Sequence, residues 1–239
     1  MLYLVASPIG NLGDITIRAL DVLRQADLVA VEDTRRSAIL LSRYEIRKPL
    51  VSLHEHNEAR RTVELLDKLQ DGANVALLTD AGTPTISDPG YRLVVACRQA
   101  DIPMTIIPGA SAVLTALAGS ALPAHAFYFG GFLPVKSGQR QRELEQALRR
   151  DCTSVYFESP HRLLKSLEIL KQSAPNRLIC VAREMTKQFE EYRRGPARLV
   201  CDHFQQHTPR GEITLLISGS ANGSESVSEG ERDSPPGAT

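Results

Sequence analysis

Residues 77–91 read LLTDAGTPTISDPGY, an apolar run that stops abruptly in Asp, Gly, Thr, Ser and Pro. Val75 to Leu78 has the β-branched and apolar content of a buried strand, and the glycines and prolines behind it exclude a long helix. Asp80, Gly82, Thr83, Pro84, Asp88, Pro89 and Gly90 therefore form a rigid loop with exposed backbone at a strand end. In open α/β sheets such loops, at the carboxyl ends of strands, build the crevice that takes ligands. A plain connecting turn, with Asp as an Asx-type turn former, is the competing reading.

The same grammar recurs along the chain. Strand-like segments fall at 2–6, 27–31, 50–53, 74–78, 104–107, 127–129, 154–157, 178–182 and 212–217, with helical periods between most of them. Asp14 is placed to cap a helix carrying Ile17, Leu20 and Leu23 on one face; Val63, Leu65, Leu66 and Leu69 mark another, ended by Gly72. Alternation of strand and helix predicts an α/β protein with a substantially parallel sheet. The small residues and proline of GSALPAHA, 119–126, separate two alternating blocks and predict an N-terminal domain over 1–118 and a C-terminal domain over 119–218. From 219 to 239 the sequence carries almost no large apolar residue and reads as a disordered tail.

Bulk properties narrow the function classes. The 239 residues are 42% hydrophobic, enough for a substantial core, and 28 basic residues balance 28 acidic ones, so net charge alone gives no reason to invoke nucleic acid. The four cysteines are far apart without a CxxC pair, which indicates neither a zinc site nor a disulfide framework. No stretch approaches the roughly 18 apolar residues of a membrane span, and the N-terminus lacks a basic flank, so a cytoplasmic location is expected.

Charged and polar clusters follow the strands. Glu32, Asp33, Arg35 and Arg36 stand directly behind the second strand, as a capped helix start or as a cleft with arginines for an anion. His54-Glu55-His56 lacks the HExxH spacing of a helical zinc site and reads as polar loop lining; no metal is expected. Ile107-Pro108-Gly109-Ala110-Ser111-Ala112 turns a strand into a helix of small residues whose first N–H groups are free for a ligand. Phe157-Glu158-Ser159-Pro160-His161-Arg162 and Arg183-Glu184-Met185-Thr186-Lys187 follow later strands, where ion-paired caps and tuned acid–base groups look alike. Lys136, Arg140 and Arg142 lead a basic helix with Leu144 and Leu148 inward, either a solvated face or a phosphate-contacting one. No GxGxxG dinucleotide fingerprint is present.

Taken in order, LYLVASPIGNLGDITIRAL, VEDTRR, HEHNE, LLTDAGTPTISDPGY, IPGASA, GGFLP, YFESPHRLL, VAREMTK and RGEITLLI resemble the ribosomal RNA small-subunit methyltransferase I family, of the tetrapyrrole-methylase type, over residues 2 to about 217. The resemblance implies two α/β domains, S-adenosylmethionine held between them, a homodimer, and 2′-O-methylation of a cytidine in the decoding region of small-subunit ribosomal RNA. It further implies that Asp80, Gly82 and Thr83, at the place of a Gly-Asp-Pro loop in relatives, contact the donor together with Pro8, Ile86, Ser111, Ala112, Phe157 and Glu158. A neutral hydroxyl needs help to lose its proton, and Glu32, Asp33, His54, Glu184 and Lys187 are the candidates; a carboxylate would need its pKa raised by burial and Lys187 would need it lowered. Arg35, Arg36, Arg162, Lys136, Arg140 and Arg142 are expected on RNA phosphates. Family members continue past the last strand into a short helical region, where this chain has its Ser/Gly/Pro segment, so RNA affinity is expected to change more than donor binding. A methyltransferase for a tetrapyrrole or other small molecule, and a non-catalytic RNA-binding assembly module, are the alternatives.

Overall fold

In the computed structural model, which describes residues 1–220, the first half is a five-stranded sheet of β1 (Leu2–Val5), β2 (Leu28–Val31), β3 (Leu50–Ser52), β4 (Val75–Leu78) and β5 (Met104–Ile107). The order is β3-β2-β4-β1-β5 and every pairing is parallel. Period-two alternation sorts the strands' side chains between two cores. Val5, Val29, Val31, Ala76 and Leu78 pack with Leu23 of α1 (Ile17–Gln25) and Leu40 of α2 (Thr34–Arg43). Leu2, Leu4, Leu28, Ala30, Val75 and Leu77 pack on the other face with Leu65 of α3 (Glu58–Gln70) and Leu93 of α4 (Tyr91–Gln99). Thr16, not the expected Asp14, caps α1: its hydroxyl accepts from the Ala19 N–H, while Asp14 closes a short 3-10 turn.

The second sheet departs from the expected parallel pattern. Its strands are β6 (Phe127–Phe132), β7 (Thr153–Glu158), β8 (Leu178–Arg183), β9 (Glu191–Pro196) and β10 (Ile213–Ile217), ordered β6-β7-β10-β8-β9. Only β6 and β7 are parallel; β10 inserts antiparallel between β7 and β8, and β9 folds back on β8 without a helix between them. β9 was not anticipated, because an edge strand rich in Arg, Gly and Pro carries no apolar alternation. Helices α6 (Ser137–Arg149), α7 (Pro160–Ser173) and α8 (Ala197–Gln206) cover one face.

The other face is covered from the first half of the chain. Val113, Ala116 and Leu117 of α5 (Ala112–Ser120) and Ile9 from the loop after β1 pack on Val155, Leu178, Cys180, Ala182 and Leu216. The boundary expected at 118/119 falls inside α5, whose apolar surface is buried against the second sheet. Of the tail expected over 219–239, Gly219 is buried and Ser220 is tied to the second half, its N–H donating to the Arg150 carbonyl at 2.8 Å and its hydroxyl bonding to Asp151. Residues 221–239 lie outside the described residues.

Candidate active site

Loops from the carboxyl ends of β1, β4 and β5 meet the second sheet along a cleft. The β1 and β4 loops are tied together by a two-bond bridge, Ser7 N–H to the Gly82 carbonyl at 2.9 Å and Gly82 N–H to the Ser7 carbonyl at 3.1 Å. Gly82 sits at φ +79°, where a side chain is strained, although a Cβ there would meet Ile9 and the Ala110 carbonyl only at 3.8 and 3.9 Å. Beyond it, Thr85 and Ser87 adopt φ of 72° and 67°, rare for non-glycine residues, and present Ile86 and Asp88 to the cleft. Glu58 of α3 fixes the far end, accepting from the N–H groups of Gly90 at 2.9 Å and Arg92 at 3.0 Å.

These loops wall a cavity of about 380 Å³ between the two halves, within the range of small-molecule sites. Ile9, Gly82, Thr83, Ile86 and Asp88 form one side, Ser111 and Ala112 at the start of α5 another, and Phe132, Phe157, Met185 and residues 211–214 the third. Ser111 caps α5 by accepting from the Leu114 N–H, while the N–H groups of Ala112 and Val113 at the helix start have no intrahelical partner. A second cavity, about 230 Å³, adjoins the first through Ile9, Ala81 and Glu212. Pro8, Leu12 and Ile39 give it an apolar surface, and Arg36 and Lys187 supply cations.

Seven of the residues expected at a donor site, Gly82, Thr83, Ile86, Ser111, Ala112, Phe157 and Glu158, line the larger cavity; Pro8 and Asp80 line the smaller one instead. The Glu158 side chain is committed elsewhere: fully buried, it accepts from the Ser159 N–H and the Ser166 hydroxyl, both at 2.7 Å, and pairs with Arg162 at 2.8 Å. Arg162 is correspondingly not free for RNA, because its guanidinium neutralises that buried carboxylate. Arg140 is a second correction: it is 4% exposed and donates to the carbonyls of Pro134 and Val135, whereas Lys136 and Arg142 of the same segment face solvent. Arg35 is exposed but grips Asp33 with Nε and Nη2; Arg36 pairs with Asp80 at 3.2 Å.

The acid–base candidates separate by environment. Hydrogen bonds from the Arg35 side chain and N–H hold Asp33 down to about 2, and its carboxylate caps α2. Burial would raise Glu184, but the Glu212 N–H, Lys187 and Arg183 outweigh it and its pKa falls. Lys187 moves opposite to what a base requires: burial would lower it, yet Glu212 and Glu184, both at 2.9 Å, raise it. His54 is bound within its own loop, Nε2 facing the Asn57 amide at 3.0 Å. Glu32 is raised, first by burial and then by Asp80, but lines neither cavity. Asp88, given no role from sequence, is pushed up to about 7 by burial, then by the charges of Glu32 and Asp80. Its position in the SDPG turn was legible; its proximity to Glu32, 56 positions away, is a product of the parallel β2-β4 pairing.

Comparison with known proteins gives this architecture a class. Residues 1–200 match the model of the Tetrapyrrole (Corrin/Porphyrin) Methylases. Solved relatives of that fold include a Thermus thermophilus uroporphyrin-III C-methyltransferase complexed with S-adenosylhomocysteine, 17% identical with a TM-score of 0.63 over 92% of this chain and 98% of that one. A diphthine synthase superposes with a TM-score of 0.68 at 14% identity, covering 91% and 89%. The sequence is much nearer to a narrower group: it is 47% identical to the ribosomal RNA small subunit methyltransferase I of Synechocystis sp., covering 92% of this chain and 79% of that protein. With that of Thermotoga maritima it shares 46% identity over 91% of this chain and 98% of the relative. The chain belongs to the ribosomal RNA small subunit methyltransferase I family.

Proposed function

We propose that this protein methylates the ribose 2′-hydroxyl of a cytidine in the decoding region of small-subunit ribosomal RNA, with S-adenosylmethionine as donor. The observation that carries the reading is the pair of adjoining cavities, one suited to the donor and the other to a nucleotide, in a chain of this family.

The larger cavity's walls fit the donor's mixed chemistry. Phe132 and Phe157, ring centroids 5.3 Å apart, with Ile86 and Met185 provide apolar surface for a purine, while main chain at Gly82–Thr83 and the open N–H groups at the start of α5 suit its polar ends. The donor supplies an electrophilic methyl carbon on a sulfonium. What the chain must supply is alignment, exclusion of water and relief of the hydroxyl proton. The bridged β1 and β4 loops hold the donor wall in one shape before anything binds, which limits the ordering cost of binding.

The smaller cavity receives the acceptor nucleotide. A base laid against Pro8, Leu12 and Ile39 leaves its sugar toward Ala81, at the junction with the donor, and Arg36 within reach of a phosphate. Recognition of an unstacked nucleotide is the usual mode for single-stranded RNA. Arg36 stands at that entrance, and Arg35, Lys136 and Arg142 add exposed cations for the surrounding backbone. Among the described residues no helix is long and apolar enough to cross a membrane, and a ribosomal substrate supports a cytoplasmic location. A homodimer would cover the exposed Phe127 on edge strand β6 and Val135 after it.

Incubation of the purified protein with labelled donor and small subunits lacking the modification should place label on one cytidine ribose. Label on a base, or none on small subunits while a tetrapyrrole precursor is methylated, would refute the reading.

A further inference from the structure

The smaller cavity carries one hydrogen-bond donor and one acceptor that apolar walls and a phosphate contact leave without a task. Lys187 lines that cavity and not the larger one, its ammonium held between Glu184 and Glu212, both at 2.9 Å. An ammonium has three protons, so one remains for a group in the cavity. Glu212 belongs to the run 211–214 that lines the larger cavity, and its side chain leaves that wall to meet Lys187. That side chain is 69% exposed, and among the described residues Lys187 is its one donor, so its carboxylate keeps free acceptor sites.

The local chain is shaped around this pair. Glu184 and Thr186 adopt φ of 50° and 66°, and their turn is closed by the Lys187 N–H on the Glu184 carbonyl at 3.0 Å and the Thr186 N–H on the Glu190 carboxylate at 2.6 Å. A Cβ at Gly10 would stand 2.8 Å from Cγ and Cε of Lys187, and one at Gly211, φ +82°, would overlap the Glu184 carboxylate. Glu184 also accepts from the Glu212 N–H at 2.9 Å, so a single carboxylate fixes the lysine head and the chain that carries Glu212.

Charge decides what these groups can face. Two carboxylates around one ammonium leave no surplus positive charge for a phosphate, and Arg183 close by is held by Glu191 at 2.6 Å. A neutral group that accepts from Lys187 and donates to Glu212 suits them. Cytosine has that edge, since its N3 accepts and the neighbouring N4 amino group donates. Uracil presents the reverse, an N3–H toward the ammonium and a carbonyl toward the carboxylate. The two pyrimidines match in size and shape, so the apolar surface of Pro8, Leu12 and Ile39 cannot separate them.

We infer that Lys187 and Glu212 select cytosine over uracil at the acceptor site, Lys187 donating to N3 and a Glu212 carboxylate oxygen accepting from the N4 amino group. The inference rests on the functional reading above. Hydrogen bonds to charged groups are the stronger ones, and the wrong base leaves both charged groups unmatched, which costs more than either bond contributes. An unstacked base is commonly read on this edge. Glu184 touches no base and acts through the pair as a positioning residue.

The test uses the full chain and small subunits whose target nucleotide is cytidine or uridine. The readout is the ratio of single-turnover rates at saturating S-adenosylmethionine, from which effects common to both substrates cancel. Wild type should favour cytidine by roughly 100-fold or more. Glu212→Gln, whose amide can turn to donate to the uracil carbonyl, should bring the ratio to within about tenfold. Lys187→Met keeps the stem beside Gly10 without the ammonium and should lower the ratio at least roughly tenfold. In carboxyl-carbon NMR of the donor-free protein, the Glu212 resonance, identified by its loss in Glu212→Gln, should move with cytidine 5′-monophosphate and not with uridine 5′-monophosphate. A wild type that methylates cytidine without preferring it, equal losses on both substrates in the two variants, or a resonance that responds alike to both nucleotides or to neither overturns this proposal alone. A wild type inactive on cytidine-bearing small subunits overturns the functional reading and this proposal with it.

Discussion

Replacing Asp88 by Asn should make the protein more stable, and the gain should depend on pH. The folded chain raises the carboxyl from 3.8 to about 7. A group with a raised folded value contributes stability fully below its unfolded pKa, and that contribution disappears as pH climbs through the folded pKa. A rise of that size corresponds to about 4 kcal/mol, and screening at this half-buried carboxylate reduces it to about 2 kcal/mol. Above pH 8 the wild type has lost this contribution entirely, whereas Asn never carries the charge. Thermal melts at pH 8 should therefore place Asp88→Asn about 4–8 °C above wild type, with the difference shrinking as pH falls toward 4. Equal melting temperatures at pH 8, or a gain independent of pH, would refute the buried, like-charged environment ascribed to Asp88.

Other perturbations separate donor binding, structure and RNA contact. Gly82→Val places a β-branched residue at φ +79°, at a cost of roughly 1–2 kcal/mol or more in that loop, and should weaken donor binding at least tenfold by calorimetry while far-UV circular dichroism is retained. Glu158→Ala leaves Arg162 without its buried partner and should destabilise the fold by about 3–5 kcal/mol in denaturant titrations. Arg140→Ala should lower stability by about 1.5–3 kcal/mol without altering the salt dependence of RNA binding; Arg142→Ala should leave stability alone and reduce the salt slope by roughly one.

Much of this architecture was legible because local chemistry and tertiary role coincide. Val75–Leu78 is buried at every position, and the Gly, Pro and Asp that follow it form the loop that walls the cleft. Where they diverge, sequence misled. The second sheet looked parallel because helices separate most of its strands, but β10 pairs antiparallel between β7 and β8. Arg140 carried its own signal: with Leu144 and Ala147 at i+4 and i+7 it lies on the buried face of α6, and the charge obscured the spacing. Asp33, Glu184 and Lys187 matched the residue types a proton acceptor needs, yet each is tied to an ion-pair partner nearby in sequence or space. Asp88 could not be singled out in advance, since what distinguishes it is the absence of such a partner and the approach of two acids from other strands.

The central claim is that the donor lies between the two halves, held largely by main chain. A crystal structure with S-adenosylhomocysteine tests it most directly. The ligand should lie between the Gly82–Ile86 loop and Phe157, its polar groups bonded to backbone near Gly82 and at the start of α5. A ligand bound at another surface, with this cavity closed by side chains, would contradict the account.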